Sequence, residues 1–290
     1  MQTQLLFNAQ ATLGEGPAWD EKTQSLYWVD IPQKKIYCGV EPLAELDATV
    51  GCLAPSANGN LILGLGRGVA TFEILSRRAH SLAALDEPRN NRVNDGKCDP
   101  AGRFLFGTMD MLERDASGAL YSFNGENVTR LLSGIRISNG LAWSPDYKTF
   151  YYIDTPTRQV QAFDYDLASG SLSNPRIAIR MPESFGFPDG MTSDSQGCLW
   201  VACWGGAQVT RWNPNTGELL ERVPVPALHT SACVFGGKKR NELYVTSARA
   251  GMSAADLKKY PLSGGLFKVE TKFEGIETFA FNPITSSPAA

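Results

Sequence analysis

The 290-residue chain is 43% hydrophobic and carries a formal net charge of −3, so it can bury a large core. Without a block of basic residues it is not built for nucleic acid or an anionic membrane as its main partner, and no apolar run approaches the ~20 residues of a membrane span. A small molecule is the expected partner.

The opening MQTQLLFNAQATLGEGP lacks a basic start, a long apolar run and a small-residue cleavage site, which predicts no signal peptide and a cytoplasmic protein. Six segments then share one plan of polar turn, apolar strand, break and second strand: Trp19–Tyr37, Ser56–Phe72, Asp99–Phe123, Ser144–Asp166, Asp194–Pro214 and Gly236–Val269. Their first strands, at Leu26, Leu61, Phe104, Phe150, Leu199 and Leu243, recur every roughly 35 to 50 residues, the length of a four-stranded propeller blade. Alternation of period two, dense in Tyr, Trp, Phe, Val and Ile, argues against a helical solenoid, which needs amphipathic stretches of about ten residues or more. The expected fold is an all-β six-bladed β-propeller with four-stranded antiparallel blades and a central metal site. It forms one domain over residues 1–290, with a flexible tail from about residue 283 and no helix longer than a turn or two. A closed propeller leaves no sheet edge to hide, so no obligatory protein partner is expected.

Four turns entering the blades carry a polar residue beside glycine: LGEGPAW (Leu13–Trp19), RVNDGKCDP (Arg92–Pro100), ISNGLAWSPD (Ile137–Asp146) and FPDGMTSDSQG (Phe187–Gly197). Taken singly, Asn-Gly and Asp-Gly are ordinary turn formers. Glu15 between two glycines has no such turn preference, and four matching turns in a radial array point to one place. Glu15, Asn94, Asn139 and Asp189 should therefore converge on the central channel. The carboxylates of Glu15 and Asp189 would cancel the charge of a hard divalent cation, and the amide oxygens of Asn139 and Asn94 would extend the shell while leaving positions for water and substrate.

The remaining reactive groups have plainer readings. Cys38, Cys52, Cys98, Cys198, Cys203 and Cys233 form no CxxC pair and read as small buried hydrophobes rather than zinc ligands. Neither histidine sits in a nucleophile motif; His80 reads as solvated, and His229, in ALHTSAC before the last blade, as structural, with lining of the site the alternative. Asp95, Lys97 and Asp99 read as members of the turn NDGKCDPAG rather than an acid/base set. Trp143, Trp200 and Trp204 read as blade packing rather than sugar platforms.

The stretches GEGPAW, NNRVNDGKCDPAGRFLFGTM, ISNGLAWSPDYKTFYYIDT, FPDGM, GCLWVACWGG and CVFGGKKRNELYVTSARAGM, in that order over nearly the whole chain, closely resemble the gluconolactonase family that includes regucalcin (senescence marker protein). The resemblance implies a six-bladed propeller with one divalent metal in the channel and hydrolysis of aldonolactones. It makes Glu15, Asn139 and Asp189 the metal ligands, and Asn94 a residue beside the metal that contacts substrate or water. Arg92 becomes a substrate-binding arginine, for which its fork of donors is suited. The loop Met109–Gly118 is shorter than the lid of the animal members, and Glu113 is a candidate for the lid carboxylate found there.

On this reading the cation polarises the lactone carbonyl, Asp189 takes the proton of the attacking water, and the ring opens to an aldonic acid. Calcium, zinc, manganese, magnesium and iron(II) all suit such a site. The alternatives are a calcium-binding protein without turnover, and a phosphotriester hydrolase on the same metal.

Overall fold

The computed structural model describes residues 1–283, so the expected tail lies, apart from Pro283, outside the described residues. Its strands form six four-stranded antiparallel sheets arranged as propeller blades. An N-terminal strand β1 (Thr3–Phe7) precedes the first blade, which contains β2 (Gly14–Asp20), β3 (Ser25–Asp30), β4 (Lys35–Cys38) and β5 (Glu41–Glu45). The second contains β6 (Val50–Pro55), β7 (Leu61–Leu65), β8 (Gly68–Glu73) and β9 (Arg78–Ala84), and the third β10 (Asn91–Cys98), β11 (Phe104–Asp110), β12 (Gly118–Phe123) and β13 (Val128–Ile135). The fourth contains β14 (Ser138–Trp143), β15 (Thr149–Asp154), β16 (Gln159–Asp166) and β17 (Ser171–Arg180), and the fifth β18 (Phe187–Ser193), β19 (Leu199–Trp204), β20 (Gln208–Asn213) and β21 (Glu218–Pro224). In the sixth, β22 (His229–Gly236), β23 (Glu242–Ala248) and β24 (Leu266–Glu270) are completed by β1, which pairs antiparallel with β24 from Thr3–Val269 onward. The ring is thus closed by hydrogen bonds between the two ends of the chain, leaving no gap between first and last blades. A single α-helix, α1 (Ala254–Lys259), lies between β23 and β24, and no helix among the described residues is long and apolar enough to cross a membrane.

The core occupies the wedges between blades. Each of six buried apolar clusters joins adjacent sheets: Val29, Ile36, Leu53 and Phe72 join the first and second, and Trp200, Phe235 and Phe267 join the fifth and sixth. Trp143 and Trp200 belong to this packing, as expected. The six cysteines are free and, except for the half-buried Cys38, buried. His80 is exposed on β9.

The innermost strands β2, β6, β10, β14, β18 and β22 explain how side chains reach the axis. Each loses register with its neighbour once: between Glu15 and Ala18, Val50 and Cys52, Val93 and Gly96, Asn139 and Leu141, Pro188 and Met191, and Thr230 and Cys233. A bulge bends a strand and re-aims its side chains. The four polar motifs, expected to be turns before the visible strands, are these bulged inner strands. Glycine is required there by crowding as well as by backbone angle: Gly140 has φ 33°, and a Cβ on it would come within 2.5 Å of Ile153 Cδ1 and 2.7 Å of the Asp189 carbonyl oxygen.

The chain beyond β24 closes one end of the channel. Ser195 N donates to Glu274 O (2.8 Å), Phe281 N to Pro55 O (2.8 Å) and Asn282 N to Gly102 O (2.9 Å), carrying the segment from the fifth blade to the second and third. Beneath it remains a void of about 30 Å³ lined in part by Lys97, Ile276 and Phe279, room for water and not for a ligand.

Candidate active site

At the open end lies a cavity of about 610 Å³ lined by Glu15, Arg92, Asn94, Asn139 and Asp189 among others, a size that suits a small molecule. All five site residues expected from sequence therefore meet in one place. Their positions follow from strand geometry. Asn94 and Asp189 sit inside the bulges of β10 and β18, whereas Glu15 and Asn139 are the last paired residues before the bulges of β2 and β14. The second and sixth blades offer only Gly51 and Cys52, and Ser231 and Ala232, at the corresponding places. Four of six inner strands thus supply the polar floor.

A hydrogen-bonded chain fixes the amides. Arg92 Nη1 donates to Asn94 Oδ1 (2.6 Å) and to Val93 O (3.0 Å); Asn94 Nδ2 donates to Asn139 Oδ1 (2.8 Å) and Ser138 O (2.8 Å). Asn139 Nδ2 donates to Thr155 Oγ1 (2.8 Å), which donates to Pro188 O (2.8 Å), one residue before Asp189. Both amides are thereby fixed in orientation, and each oxygen accepts one hydrogen bond, Asn94 Oδ1 from Arg92 and Asn139 Oδ1 from Asn94, with a second lone pair left.

The carboxylates lack comparable support. Glu15 is buried and, among the described residues, accepts only from its own neighbour, Gly16 N (3.0 Å). Asp189 is buried, and its Oδ1 has no hydrogen-bond partner among the described residues. Burial, then the charge of Asp95, pushes the Glu15 carboxyl up to about 8; burial, then Glu15, holds Asp189 well above the usual carboxylate range. Burial lowers Arg92, with Glu15 opposing that shift. Two buried acids facing one another without a saturating donor set are costly in water-poor surroundings, and a cation relieves that cost.

The donor set fits a hard divalent ion: two carboxylates neutralise it, and oriented amide oxygens add neutral ligands. No cluster of three or more His, Cys, Asp or Glu exists among the described residues, so a cation here depends on Asn139 as well as on Glu15 and Asp189.

Asp95 and Lys97, expected in the turn NDGKCDPAG, lie within β10. Asp95 is buried with its carboxylate on Gly96 N (2.7 Å), and half-buried Lys97 donates through Nζ to Met191 O (2.8 Å). The glycine and Asp-Pro of the motif suggested a turn, but the turn begins only after Cys98, where Asp99 accepts from Ala101 N (2.9 Å) and Arg103 N (2.8 Å).

The cavity wall stands one pleat above the floor. Because strand side chains repeat on one side every second residue, the wall residues precede positions at or beside the bulges by two: Leu13 before Glu15, Arg92 before Asn94, Ile137 before Asn139, Phe187 before Asp189 and His229 before Ser231, and these five wall residues all line the cavity. Leu13, Ile137 and Phe187 were missed in the sequence, and this spacing is the signal that finds them. His229 lines the site, the alternative to its structural reading. Trp204, read as packing, instead faces the cavity and stacks on His229 with ring centroids 4.2 Å apart and planes at 11°. Glu113 lines the rim at φ 56°; its loop is held by Asp110, which accepts from Leu112 N (3.2 Å) and Arg114 N (3.1 Å), and by Arg136, which donates through Nη2 to Arg114 O (2.9 Å).

Fold and site together define a six-bladed propeller with an open, polar-floored cavity at its axis. The chain belongs to the SMP-30/gluconolactonase/LRE-like family, whose model matches residues 13–249. It is 42% identical to regucalcin of Danio rerio over 265 residues, 89% of this chain and 90% of that protein. Among solved structures it is similar to a luciferin-regenerating enzyme (32% identical, TM-score 0.86, 94% of this chain and 96% of that one). It is also similar to a calcium-binding protein, regucalcin, from Agrobacterium tumefaciens (25% identical, TM-score 0.92, 97% of both chains).

Proposed function

We propose that this protein hydrolyses sugar lactones to aldonic acids, gluconolactonase-like, with one divalent cation held by Glu15, Asn139 and Asp189. The observation that carries the reading is the pair of buried, under-satisfied carboxylates at the floor of an open cavity, one with an orphaned oxygen. Family membership supports the reaction class.

A divalent cation at this floor supplies a Lewis acid that polarises an ester carbonyl and lowers the barrier to attack by water. Arg92 holds substrate hydroxyls or the nascent carboxylate: its Nη1 is committed to the protein, and Nε and Nη2 have no partner among the described residues. Asn94, fixed between Arg92 and Asn139, offers a further polar contact at the same wall. Asp189 receives the proton of the attacking water through Oδ1. Water oxygen bonds to the carbonyl carbon, the ring C–O bond breaks, and the departing alkoxide takes up a proton to become a hydroxyl. The acid product ionises near neutral pH, so each turnover releases a proton.

Calcium binding without turnover is the second reading, favoured by the description of the Agrobacterium tumefaciens relative as a calcium-binding protein. The open cavity and the uncommitted Arg92 donors favour catalysis. Proton release by metal-stripped protein, with each divalent cation added in turn against five- and six-membered aldonolactones and a phosphotriester, separates these readings. Cation-dependent acid production above the spontaneous rate, lost in Glu15→Gln, is expected with the lactones. Cation binding without acid production from any of them would leave the binding role.

A further inference from the structure

The cavity sorts its chemistry by blade. Arg92, Asn94 and Asn139 stand on the third and fourth blades, whereas Phe187, Trp204 and His229 stand on the fifth and sixth. The wall contributed by the fifth and sixth blades therefore carries aromatic rings. The guanidinium of Arg158 covers the Phe187 ring at 3.7 Å, which occupies one of that ring's faces. Among the described residues no cation covers the Trp204–His229 pair, whose near-parallel stack places one ring behind the other, so that an outer ring face is offered with its partner ring as backing.

The sequence register explains why the pair is rigid. His229 begins β22 opposite Ala248 on β23, and Trp204 ends β19, paired with Phe187 at the end of β18. Each ring thus grows from a hydrogen-bonded strand end. Burial lowers the His229 imidazole below its ordinary value, with Asp256 of α1 opposing that shift, so the ring is neutral near pH 7 and adds no charge to the wall.

We infer that Trp204 and His229 form the platform that receives the C–H face of a ring-shaped substrate and so determine specificity for cyclic over open-chain polyols. A sugar lactone is amphipathic in the same sense as the cavity. Its hydroxyl edge needs donors, which Arg92 and Asn94 supply, and its C–H face carries a weakly positive surface that meets the electron-rich face of an indole. An open-chain aldonate presents no flat face and gains only the polar half of the interaction. The platform would thereby favour substrate over product and promote release after ring opening. The inference rests on the lactonase reading for the identity of the ring but not for the contact itself.

The test uses a sugar lactam, which keeps the ring and resists hydrolysis, as a binding probe for cation-loaded full-length protein. Lactam addition should change tryptophan fluorescence in the wild type, and this change should vanish in Trp204→Leu, whose affinity should fall about tenfold. In the lactonase assay the same variant should raise KM for lactones about tenfold with kcat changed less than about threefold, and Trp204→Phe, which restores a ring face, should recover most of the loss. His229→Ala should give an intermediate KM. If Trp204→Leu fails to fold, His229→Ala still decides the matter through its raised KM and weakened lactam binding, because His229 belongs to none of the buried apolar clusters that hold the blades together. Lactam binding that is unchanged in all these variants, or equal affinity of the wild type for the lactam and the open-chain aldonate, would overturn the platform. Ring binding with Trp204-dependent fluorescence but no lactone hydrolysis would support the platform and remove the lactonase reading.

Discussion

At the closed end of the propeller, Asp194 accepts from Gln196 N (3.0 Å), Cys198 N (3.0 Å), the Trp200 indole (3.0 Å) and Arg211 Nε (2.7 Å). Asp99 is treated alike, accepting from two backbone amides, Arg103 Nε (2.6 Å) and the Tyr165 hydroxyl (2.5 Å). At the open end, Asp189 and Glu15 are buried too, though 5% and 7% exposed where Asp99 and Asp194 are at 0%; among the described residues one keeps an orphaned oxygen and the other a single backbone donor. The small difference in burial does not account for the large difference in satisfaction. A carboxylate saturated by amides and arginine is finished as a structural joint, whereas an unsaturated one is prepared for a charge that arrives from outside.

The sharpest way to break that comparison is to remove one acid from each end. Asp194→Ala strands the Arg211 guanidinium in the interior and should cost about 3–5 kcal/mol in denaturant unfolding, with activity per folded molecule unchanged. A loss below about 1 kcal/mol would show that the closed-end acids are not joints. Cation addition comes next. At a free concentration a hundredfold above Kd, metal-stripped protein should gain about 2.7 kcal/mol of stability, seen as a raised melting temperature in the wild type and not in Glu15→Gln.

The third effect has the opposite sign from Asp194→Ala. Burial and Asp95 hold the Glu15 carboxyl at about 8, so near pH 7 folding without metal must protonate a group that is ionised in the unfolded chain; Glu15→Gln escapes that cost and should be more stable than metal-free wild type by about 1–3 kcal/mol at pH 7, with the difference vanishing below the unfolded carboxyl value. Equal or lower stability would mean that the floor is not electrostatically strained. At the wall, Arg92→Lys keeps the charge but loses the fork that holds Asn94, and should raise KM about tenfold, or about 1.4 kcal/mol. The smallest change is expected for Glu113→Gln on the exposed rim, within about threefold in kcat/KM; a larger loss would make its loop a working lid.

The sequence was most legible in the middle strands, which are dense in aromatic and β-branched residues between clear turn signals. TFYYID of β15 is such a run, and QVQAFDYD of β16 alternates half-exposed with buried positions; segments of this kind marked all six blades. The innermost strands were harder. β14, SNGLAW, is buried on both faces and broken by Gly140, so neither period nor composition announced a strand, and the polar motifs read as turns. The identity of the floor residues survived that error because a polar residue beside glycine marks a bulge as well as a turn. The wall was less visible: Leu13, Ile137 and Phe187 are apolar residues that look like core until the bulge register places them two positions above the floor. Trp204 misled for the same reason, since the continuous apolar run LWVACW that buries Trp200 says nothing of the strand end, where half-buried Trp204 lies beside the cavity. Closure by β1 was invisible locally, because its partner β24 lies at the other end of the chain.

The central claim is that the unsatisfied pair at the open end is a cation site. Calorimetric titration of metal-stripped wild type with calcium, and with manganese or zinc if calcium is silent, tests it most directly. One cation per chain is predicted, with binding abolished in Glu15→Gln and severely weakened in Asn139→Ala. Undiminished binding in Glu15→Gln, or no binding of any divalent cation to the wild type, would contradict it.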